Sequence, residues 1–239
     1  ITFQLAQHFR PELKAAGNES LFQDIEIPLL RVLAAMELEG INLDVLFLEG
    51  LNSDLERDLN SLEKRIYEAA GETFNIASPK QLGDILFGKL KLVEKPKKTK
   101  TGQFSTAEDV LSYLAKDHLI ISDVLEFRGL AKLKSTYIDA LPLQVSKHSG
   151  RVHTDYMQTV AATGRLSSNN PNLQNIPIRT ERGRQVRKAF VPRDKEYVLM
   201  AADYSQIELR IIAALSEEDH MIAAFKEGAD IHATTAATV

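Results

Sequence analysis

One leucine stripe constrains the fold of this chain more than any other feature. Leucine or isoleucine recurs every three or four residues in a stretch with Asp44 before it and Gly71 after it. The stripe consists of Leu48, Leu51, Leu55, Leu59, Leu62 and Ile66. Apolar residues at that period form one face of an α-helix, and Asp and Gly are common capping residues at its two ends. The pattern therefore predicts a helix of about 26 residues, about 40 Å long, that packs against other helices.

Further helices are predicted on both sides of this one. Apolar residues recur with helical spacing over residues 21–36, and Gly40 follows as a stop signal. The Ser78–Pro79 pair predicts the start of a short helix, and the Ser105–Thr106 pair predicts the capped start of another. A further helix is expected over residues 118–137. The first part of the chain is therefore expected to be helical.

Beyond Pro142 the pattern changes from helical to extended. Four segments are predicted to be strands, the first two as a hairpin: 143–146, 151–160, 186–191 and 197–202. Two helices are expected after them, over residues 206–216 and 218–227, and Asp230 is placed to cap a third. The sequence thus indicates an α+β fold in which a helical part precedes a sheet-bearing part.

The charge of the chain is segregated along its length. The 239 residues carry a net charge of -4, yet residues 89–101 hold six lysines against one glutamate. Residues 161–195 hold eight basic residues against two acidic ones. Clustered Lys and Arg supply contacts to phosphates, but basic surface loops have the same composition. Charge alone therefore leaves a polyanion-binding groove and solvated loops as alternatives.

Other classes of protein are excluded or disfavoured by composition. The chain has 44% apolar residues and no cysteine, which excludes a disulfide framework, a zinc knuckle and a thiol nucleophile. No apolar stretch approaches the roughly 18–20 residues of a membrane-spanning helix. The N-terminus has neither an initiator Met nor the pattern of a signal peptide. We therefore expect a cytoplasmic segment of a longer protein, with no membrane partner. No phosphate-binding loop or dinucleotide-binding glycine motif is present.

The segment VLMAADYSQIELR places a carboxylate where an ion could bind. The apolar run 198–202 predicts a strand, buried on both faces, that ends at Asp203. Mg²⁺ prefers oxygen ligands and keeps sites for phosphate oxygens, so Asp203 is a candidate metal ligand, with Glu208 five residues later. The alternative is that Asp203 is the N-cap of the following helix.

Two further segments have side chains suited to nucleic acid. The stretch ATGRLSSNNPNLQNIPIR combines Arg165 with Asn and Gln, whose side chains can reach the minor-groove acceptors that all base pairs present. On the predicted 118–137 helix, Arg128, Lys132 and Ser135 or Thr136 share one face. An ordinary surface loop and a solvated helix face remain alternatives.

Two other functions also remain possible. One is a single-metal phosphodiesterase completed by Asp155, Asp194 or Asp219, and the other is a non-catalytic nucleic-acid-binding module.

The segments ATGRLSS, PNLQNIPIR and ADYSQIELR together resemble the palm of family A DNA polymerases. The resemblance extends over essentially the whole chain. It implies the end of a 3'-5' exonuclease-like domain at 1–40, a thumb at 41–141 and the first half of an antiparallel-sheet palm at 142–239. It further implies a DNA-directed DNA polymerase that adds dNTPs to a primer 3'-OH in replication and repair.

The resemblance also implies roles for individual residues. Asp203 and the carbonyl of Tyr204 match ligands of two catalytic Mg²⁺ ions, and Glu208, with Gln206 and Ile207, matches the wall that excludes a ribose 2'-OH. Arg165 matches an arginine that reaches the minor groove at the primer terminus. The other positions that match contacts to template-primer DNA are Lys98, Lys100, Thr101, Ser105, Thr106, Arg128, Lys132, Asn172, Gln174 and Asn175. The second metal-binding carboxylate and the fingers would follow Val239, so the rest of the polymerase chain is an expected partner and this fragment alone is expected to be inactive.

Overall fold

The leucine stripe forms the longest helix of the protein. The computed structural model describes residues 1–228, and the chain divides into two compact units, Ile1–Tyr197 and Val198–Val239. The helices of the first unit are α1 Thr2–Ala15, α2 Ile27–Glu39, α3 Val45–Ala70, α4 Pro79–Gly83, α5 Glu108–Leu114, α6 Leu119–Leu133 and α7 Glu181–Arg187. Wider π-type turns at Leu21–Glu26, Asp84–Lys89 and Lys134–Ile138 adjoin α2, α4 and α6, and a 3-10 turn spans Leu141–Gln144.

Helix α3 has the ends that the sequence predicts. The Asp44 carboxylate accepts a hydrogen bond from the Phe47 amide at 2.9 Å, and Gly71 closes the helix with a φ of 71°. Leu55 and Ile66 are fully buried, and α3 packs chiefly against α6. Residues 48–62 of α3 contribute to one hydrophobic core, and residues 66–70 contribute to a second. The stripe is therefore the structural centre of the first unit.

The sheets are small and antiparallel. The strands are β1 Asn42–Leu43, β2 Asp155–Met157, β3 Ser167–Asn169 and β4 Phe190–Val191. Strand β1 pairs with β4, and β2 pairs with β3 with Tyr156 opposite Ser168. The predicted hairpin of 143–146 with 151–160 is wrong, because residues 143–144 belong to the 3-10 turn and only Val145 bridges Val152. Within 151–160 a strand does form, β2, but it pairs with β3. The mixture of helices with small antiparallel sheets agrees with the predicted α+β class.

Two further strand predictions fail wholly or in large part. Only Phe190–Val191 of the 186–191 segment is a strand, β4, and the residues before it belong to α7 and the loop after it. Thr180 caps α7 by accepting from the Gly183 amide at 3.1 Å. Residues 197–202 are not a strand, and Val198 and Met200 are 84% and 86% exposed. An extended segment becomes a strand only when a neighbour pairs with its backbone, and none of the strands in the described part of the chain pairs with 197–202.

Helix α2 is held against the β2 region by its glutamates. The Glu37 carboxylate accepts from the Tyr156 amide at 2.7 Å, and that of Glu26 accepts from the Gln158 side chain at 2.6 Å. Glu39 accepts from Arg151 at 2.6 Å and also pairs with Arg193. Hydrogen bonds to residues more than 100 positions later therefore hold α2 and the residue before it in place.

The second unit contains two helices, α8 Ile207–Ser216 and α9 Asp219–Lys226. The N-cap of α8 is Gln206, in the left-handed region with a φ of 53°. Asp203 lies three residues earlier, so the alternative that Asp203 is the N-cap of this helix is wrong. Glu218 caps α9 by accepting from the Met221 amide at 2.6 Å. The predicted capping residue Asp230 lies outside the described residues. No helix in residues 1–228 is long and apolar enough to cross a membrane.

Candidate nucleic-acid interface

The basic loop before α5 is folded back on itself. Lys98 and Phe104 form a β-bridge, and the Thr99 amide donates to the Gln103 carbonyl at 2.8 Å. Lys98, Lys100 and Thr101 are exposed at this turn, and the Lys98 ammonium lies 5.6 Å from the centre of the Phe104 ring. The loop therefore presents two lysines and a hydroxyl to solvent.

Ser105 and Thr106, by contrast, are buried, with exposed fractions of 9% and 7%. The prediction that this pair caps α5 is wrong, because the N-cap is Ala107 and no side chain caps the helix. The Thr106 carbonyl and hydroxyl instead accept hydrogen bonds from Arg128. Both side chains are thus placed inside the protein.

The two basic residues of α6 are placed differently. Arg128 is half-buried, and burial lowers the pKa of its guanidinium from the usual value. Lys132, one turn later, is exposed, as are Ser135 and Thr136 in the turn that follows. The predicted polar face therefore exists, with Lys132 as its most accessible cation.

A cleft of about 1130 Å³ lies between α3, α6 and residues 171–182. It brings Lys132, Asn172 and Asn175 together on its walls, whereas Arg128 and residues 98–106 do not line it. Its charged lining is mixed, and consists of Asp58, Glu108, Glu126, Glu181, Arg65, Lys132 and Arg182. Arg65 pairs with Asp123 at 2.7 Å and Arg182 pairs with Asp58. Because these pairs compensate two of its cations, the interior of the cleft is not a strongly basic groove.

The predicted minor-groove segment contains β3 and an ordered turn. The Asn172 side-chain oxygen accepts from the amides of Gln174 and Asn175 at 3.0 and 3.2 Å. The Gln174 side chain accepts from the Ser168 amide at 3.1 Å and donates to the Leu166 carbonyl at 3.0 Å. Gln174 thereby fixes the chain directly after Arg165, which is exposed.

A buried hydroxyl pair supports this turn and was not found from the sequence. The Thr154 hydroxyl lies 2.6 Å from that of Ser168, and both side chains are buried. The Ser168 hydroxyl also accepts from the Leu173 amide at 3.1 Å. Ser and Thr are common in loops, so only the tertiary structure identifies these two as the base of the turn.

In the second unit, Asp203 and Tyr204 are exposed ahead of α8, and Glu208 is exposed in its first turn. Arg210 donates from Nε to the Ser205 carbonyl at 2.9 Å and stacks 4.5 Å from the centre of the Phe225 ring. The turn after Asp203 is thereby tied to α9. The carboxylate and carbonyl oxygens of Asp203 and Tyr204 are ligands of the kind that Mg²⁺ prefers. They are an incomplete set, since no three His, Asp or Glu side chains within residues 1–228 are grouped as a metal site.

Comparison with known proteins identifies the family. Residues 46–239 match the model of DNA polymerase family A. The chain is 53% identical over 237 residues to DNA polymerase I of Synechocystis sp., covering 98% of this chain and 24% of that protein. It is 49% identical over 232 residues to DNA polymerase I of Geobacillus stearothermophilus, covering 97% of this chain and 26% of that protein. The chain therefore spans about a quarter of the length of these relatives.

A solved structure agrees with the sequence comparisons. It is the POL domain of Pol1 from M. smegmatis in a complex with DNA primer-template and dNTP. The likeness has a TM-score of 0.88 at 44% identity, and covers 96% of this chain and 40% of that one. Sequence and structure thus lead to one assignment: the chain belongs to DNA polymerase family A.

Proposed function

We propose that this chain is part of a DNA-directed DNA polymerase that adds dNTPs to a primer 3'-OH in DNA replication and repair. The observation that carries the proposal is the family match over residues 46–239. The M. smegmatis domain is solved with primer-template and dNTP, which supports template-primer duplex DNA and dNTP as partners of this chain. A cytoplasmic location and an association with the rest of a longer polymerase chain belong to the same proposal.

In this proposal the chain is divided into a thumb and part of a palm, and the thumb contributes contacts to the phosphates of duplex DNA. Residues 1–40 are the end of an exonuclease-like domain, 41–141 the thumb and 142–239 the first half of the palm. Exposed Lys98, Lys100 and Lys132 are suited to phosphate contacts because a lysine ammonium is a compact charge on a flexible stem. Arg128 acts by fixing Thr106 beside the thumb loop as well as through its charge.

The primer terminus is assigned to Arg165 and the turn formed by residues 172–175. Arg165 lies two residues before β3, and Gln174 holds the Leu166 carbonyl and the Ser168 amide in place. The Asn172 and Asn175 side chains are exposed on the same turn. These amide and guanidinium donors can test minor-groove acceptors that every correct base pair presents, so they can monitor base-pair shape without reading sequence.

In this proposal the nucleotide is bound by residues of the second unit. Asp203 and the Tyr204 carbonyl would hold Mg²⁺, and two bound Mg²⁺ ions would stabilise the attacking and leaving oxygens of an in-line phosphoryl transfer. Glu208, with Gln206 and Ile207, forms the wall beside the sugar of the incoming dNTP. One carboxylate does not make a two-ion site, so we expect the 239-residue chain to be inactive alone.

Primer extension tests the proposal. A polymerase of full family length that contains this chain should extend a primer in a template-directed manner, and the 239-residue chain should not extend it above a no-protein control. Failure of the full-length protein to extend any primer, with duplex binding retained, would favour a non-catalytic nucleic-acid-binding module. Extension by the chain alone would contradict the assignment of an incomplete site.

A further inference from the structure

Five consecutive main-chain carbonyls, those of residues 175–179, each accept a hydrogen bond from a side chain. We call them the carbonyl row. Tyr137 donates to the Asn175 oxygen. Arg187 donates from Nη2 to the Ile176 oxygen at 2.7 Å and from Nε to the Pro177 oxygen at 3.3 Å. Arg184 donates from Nη1 to the Ile178 and Arg179 oxygens at 3.3 and 3.1 Å.

The donors come from two other parts of the first unit. Arg184 and Arg187 lie on α7, and Tyr137 lies in the turn after α6. Carbonyls in irregular segments are usually satisfied by backbone or water, so a side-chain donor for each of five in succession gives the row a defined path. The exposed fraction of Tyr137 is 7%, and burial raises the pKa of its hydroxyl, an effect that the nearby charge of Arg187 opposes.

Close packing of α7 makes these contacts possible. A Cβ atom added to Gly183 would lie 2.5 Å from the Cβ of Pro177 and 3.0 Å from the Pro177 oxygen. Only glycine allows the first turn of α7 to approach the row this closely. The two arginines then reach the carbonyls from the same helix.

The row continues directly from the turn of residues 172–175. Asn175 belongs to both, since its amide donates to Asn172 and its carbonyl accepts from Tyr137. The Asn172 and Asn175 side chains are exposed. A fixed row therefore fixes one end of the turn that carries these amides.

The α7 arginines could act through their charge, by binding phosphate, or through their geometry, by binding the carbonyl row. A carbonyl oxygen is neutral, so the arginines keep their charge and would also suit a phosphate. Arg187, however, uses the planar geometry of its guanidinium to bind two adjacent carbonyls, which a lysine ammonium does not reproduce. A lysine at this position keeps the charge and loses the geometry.

We propose that Tyr137, Arg184 and Arg187 are positioning residues that fix the 172–175 turn against the primer terminus and so set discrimination against mispaired termini. The inference rests on the proposed polymerase function. The residues act through the carbonyl row and do not themselves contact DNA.

The test uses a polymerase of full family length. Arg187→Lys keeps the charge but removes the paired contacts, Arg187→Gln removes the charge as well, and Tyr137→Phe removes only the hydroxyl. Lys188→Gln is the matched control, because Lys188 is exposed at the end of α7 and its loss removes an adjacent charge. For each variant, kcat/KM is measured for extension from matched and mismatched termini, together with duplex affinity against salt concentration.

We expect the ratio of matched to mismatched kcat/KM to fall about tenfold in Arg187→Lys and in Tyr137→Phe, because small displacements from the reacting geometry are costly. The salt slope of duplex binding should stay unchanged in both, and Lys188→Gln should keep the wild-type ratio. An unchanged ratio in Tyr137→Phe overturns the proposal, even if Arg187→Lys does not fold. The proposal is also overturned if Arg187→Lys keeps the wild-type ratio and Arg187→Gln lowers the salt slope by about one unit. That combination would make Arg187 a phosphate contact. If the wild-type protein extends no primer, the proposed function fails first, and the inference with it.

Discussion

The Arg128 guanidinium is bonded to Thr106, with Nη1 donating to the carbonyl oxygen at 2.8 Å and Nη2 lying 3.4 Å from the hydroxyl oxygen. The two residues are 22 positions apart, one on α6 and the other just before α5. Their contact joins α6 to the segment that directly follows the basic loop at residues 98–104. Arg128 therefore contributes to the fold as well as to charge.

This relationship predicts different outcomes for the basic residues of the proposed thumb. Lys98→Ala, Lys100→Ala and Lys132→Ala should each weaken duplex binding about equally for all sequences and lower the salt slope by roughly one unit. Arg128→Ala should do the same and should also lower the free energy of unfolding by about 1–3 kcal/mol, because Thr106 loses a charged donor. Anisotropy titrations at several salt concentrations and urea unfolding measure the two effects.

Lys64, exposed on α3 and not among the residues assigned to duplex DNA, provides the control for these variants. Lys64→Ala should leave the salt slope unchanged. Unchanged slopes in all of the thumb variants would show that their charges are merely solvated, and a loss that depends on DNA sequence would contradict phosphate binding.

The fully buried Leu55 on α3 predicts a large stability effect. Leu55→Ala should lower the free energy of unfolding by about 2–5 kcal/mol, because a cavity remains in the core between α3 and α6. Leu46 is on the same helix but 79% exposed, so Leu46→Ala should change the free energy by less than about 0.5 kcal/mol. Urea unfolding measures both, and similar losses in the two variants would contradict the assignment of the core face.

Helices α3 and α4 could be predicted because their signals are local. The period of the stripe, Asp44 and Gly71 lie within or next to α3, and the Ser78 cap lies next to α4. The strands depend on distant partners, since β1 pairs residues 42–43 with residues 190–191. An apolar run such as 198–202 therefore has the composition of a strand without the pairing that makes one.

In the candidate site, too, some features follow from residue type and others depend on residues distant in sequence. Lys132, Asn172 and Asn175 are exposed, as their polar residue types favour. The burial of Thr106 and the use of Arg187 on carbonyls result from packing of residues distant in sequence. A basic residue type indicates the presence of a charge, but only the fold decides what that charge contacts.

Glu39 predicts a pH dependence of stability. The hydrogen bond from Arg193, and the charges of Arg151 and Arg193, hold the pKa of the Glu39 carboxyl below its ordinary value. A carboxyl with a lowered pKa in the folded state contributes stability that is present above its unfolded value of about 4.3 and is lost as pH falls through the folded value. Glu39→Gln should therefore lower the free energy of unfolding at neutral pH, and the difference from wild type should shrink as pH falls below about 4.3.

Urea unfolding of both proteins from pH 7 down to pH 3 measures this difference. In a background that carries Arg151→Gln and Arg193→Gln, Glu39→Gln should have a much smaller effect, because the carboxylate has lost both partners. A difference that stays constant with pH would show that Glu39 acts through packing alone.

Asp203 predicts a separation of binding from chemistry in the full-length polymerase. Asp203→Ala should abolish primer extension while duplex affinity stays nearly unchanged, because the carboxylate is a proposed metal ligand and not a phosphate contact. Asp219, exposed in the first turn of α9, is the control, and Asp219→Asn should extend primers normally. Loss of extension in Asp219→Asn would favour a single-metal site shared by the two aspartates, and loss of duplex binding with chemistry retained in Asp203→Ala would reverse the assignment.

Glu208 predicts the sugar specificity of the full-length polymerase. Its side chain is exposed in the first turn of α8, five residues after Asp203, and the proposed function places it beside the sugar of the incoming nucleotide. A wall at that position rejects a 2'-OH because the extra oxygen displaces the nucleotide from the reacting geometry. Glu208→Ala should therefore raise ribonucleotide incorporation relative to dNTP by about 100-fold while lowering dNTP use far less.

Single-nucleotide incorporation with matched dNTP and rNTP measures this ratio for wild type and two variants. Glu208→Gln keeps nearly the same volume without the charge, so it should retain most of the discrimination if the wall acts by shape. Discrimination lost equally in Gln and Ala variants would instead assign the rejection to the carboxylate charge. If Glu208→Ala impairs dNTP and rNTP to the same extent, Glu208 supports the helix or binds the metal, and the residue that excludes the 2'-OH lies elsewhere.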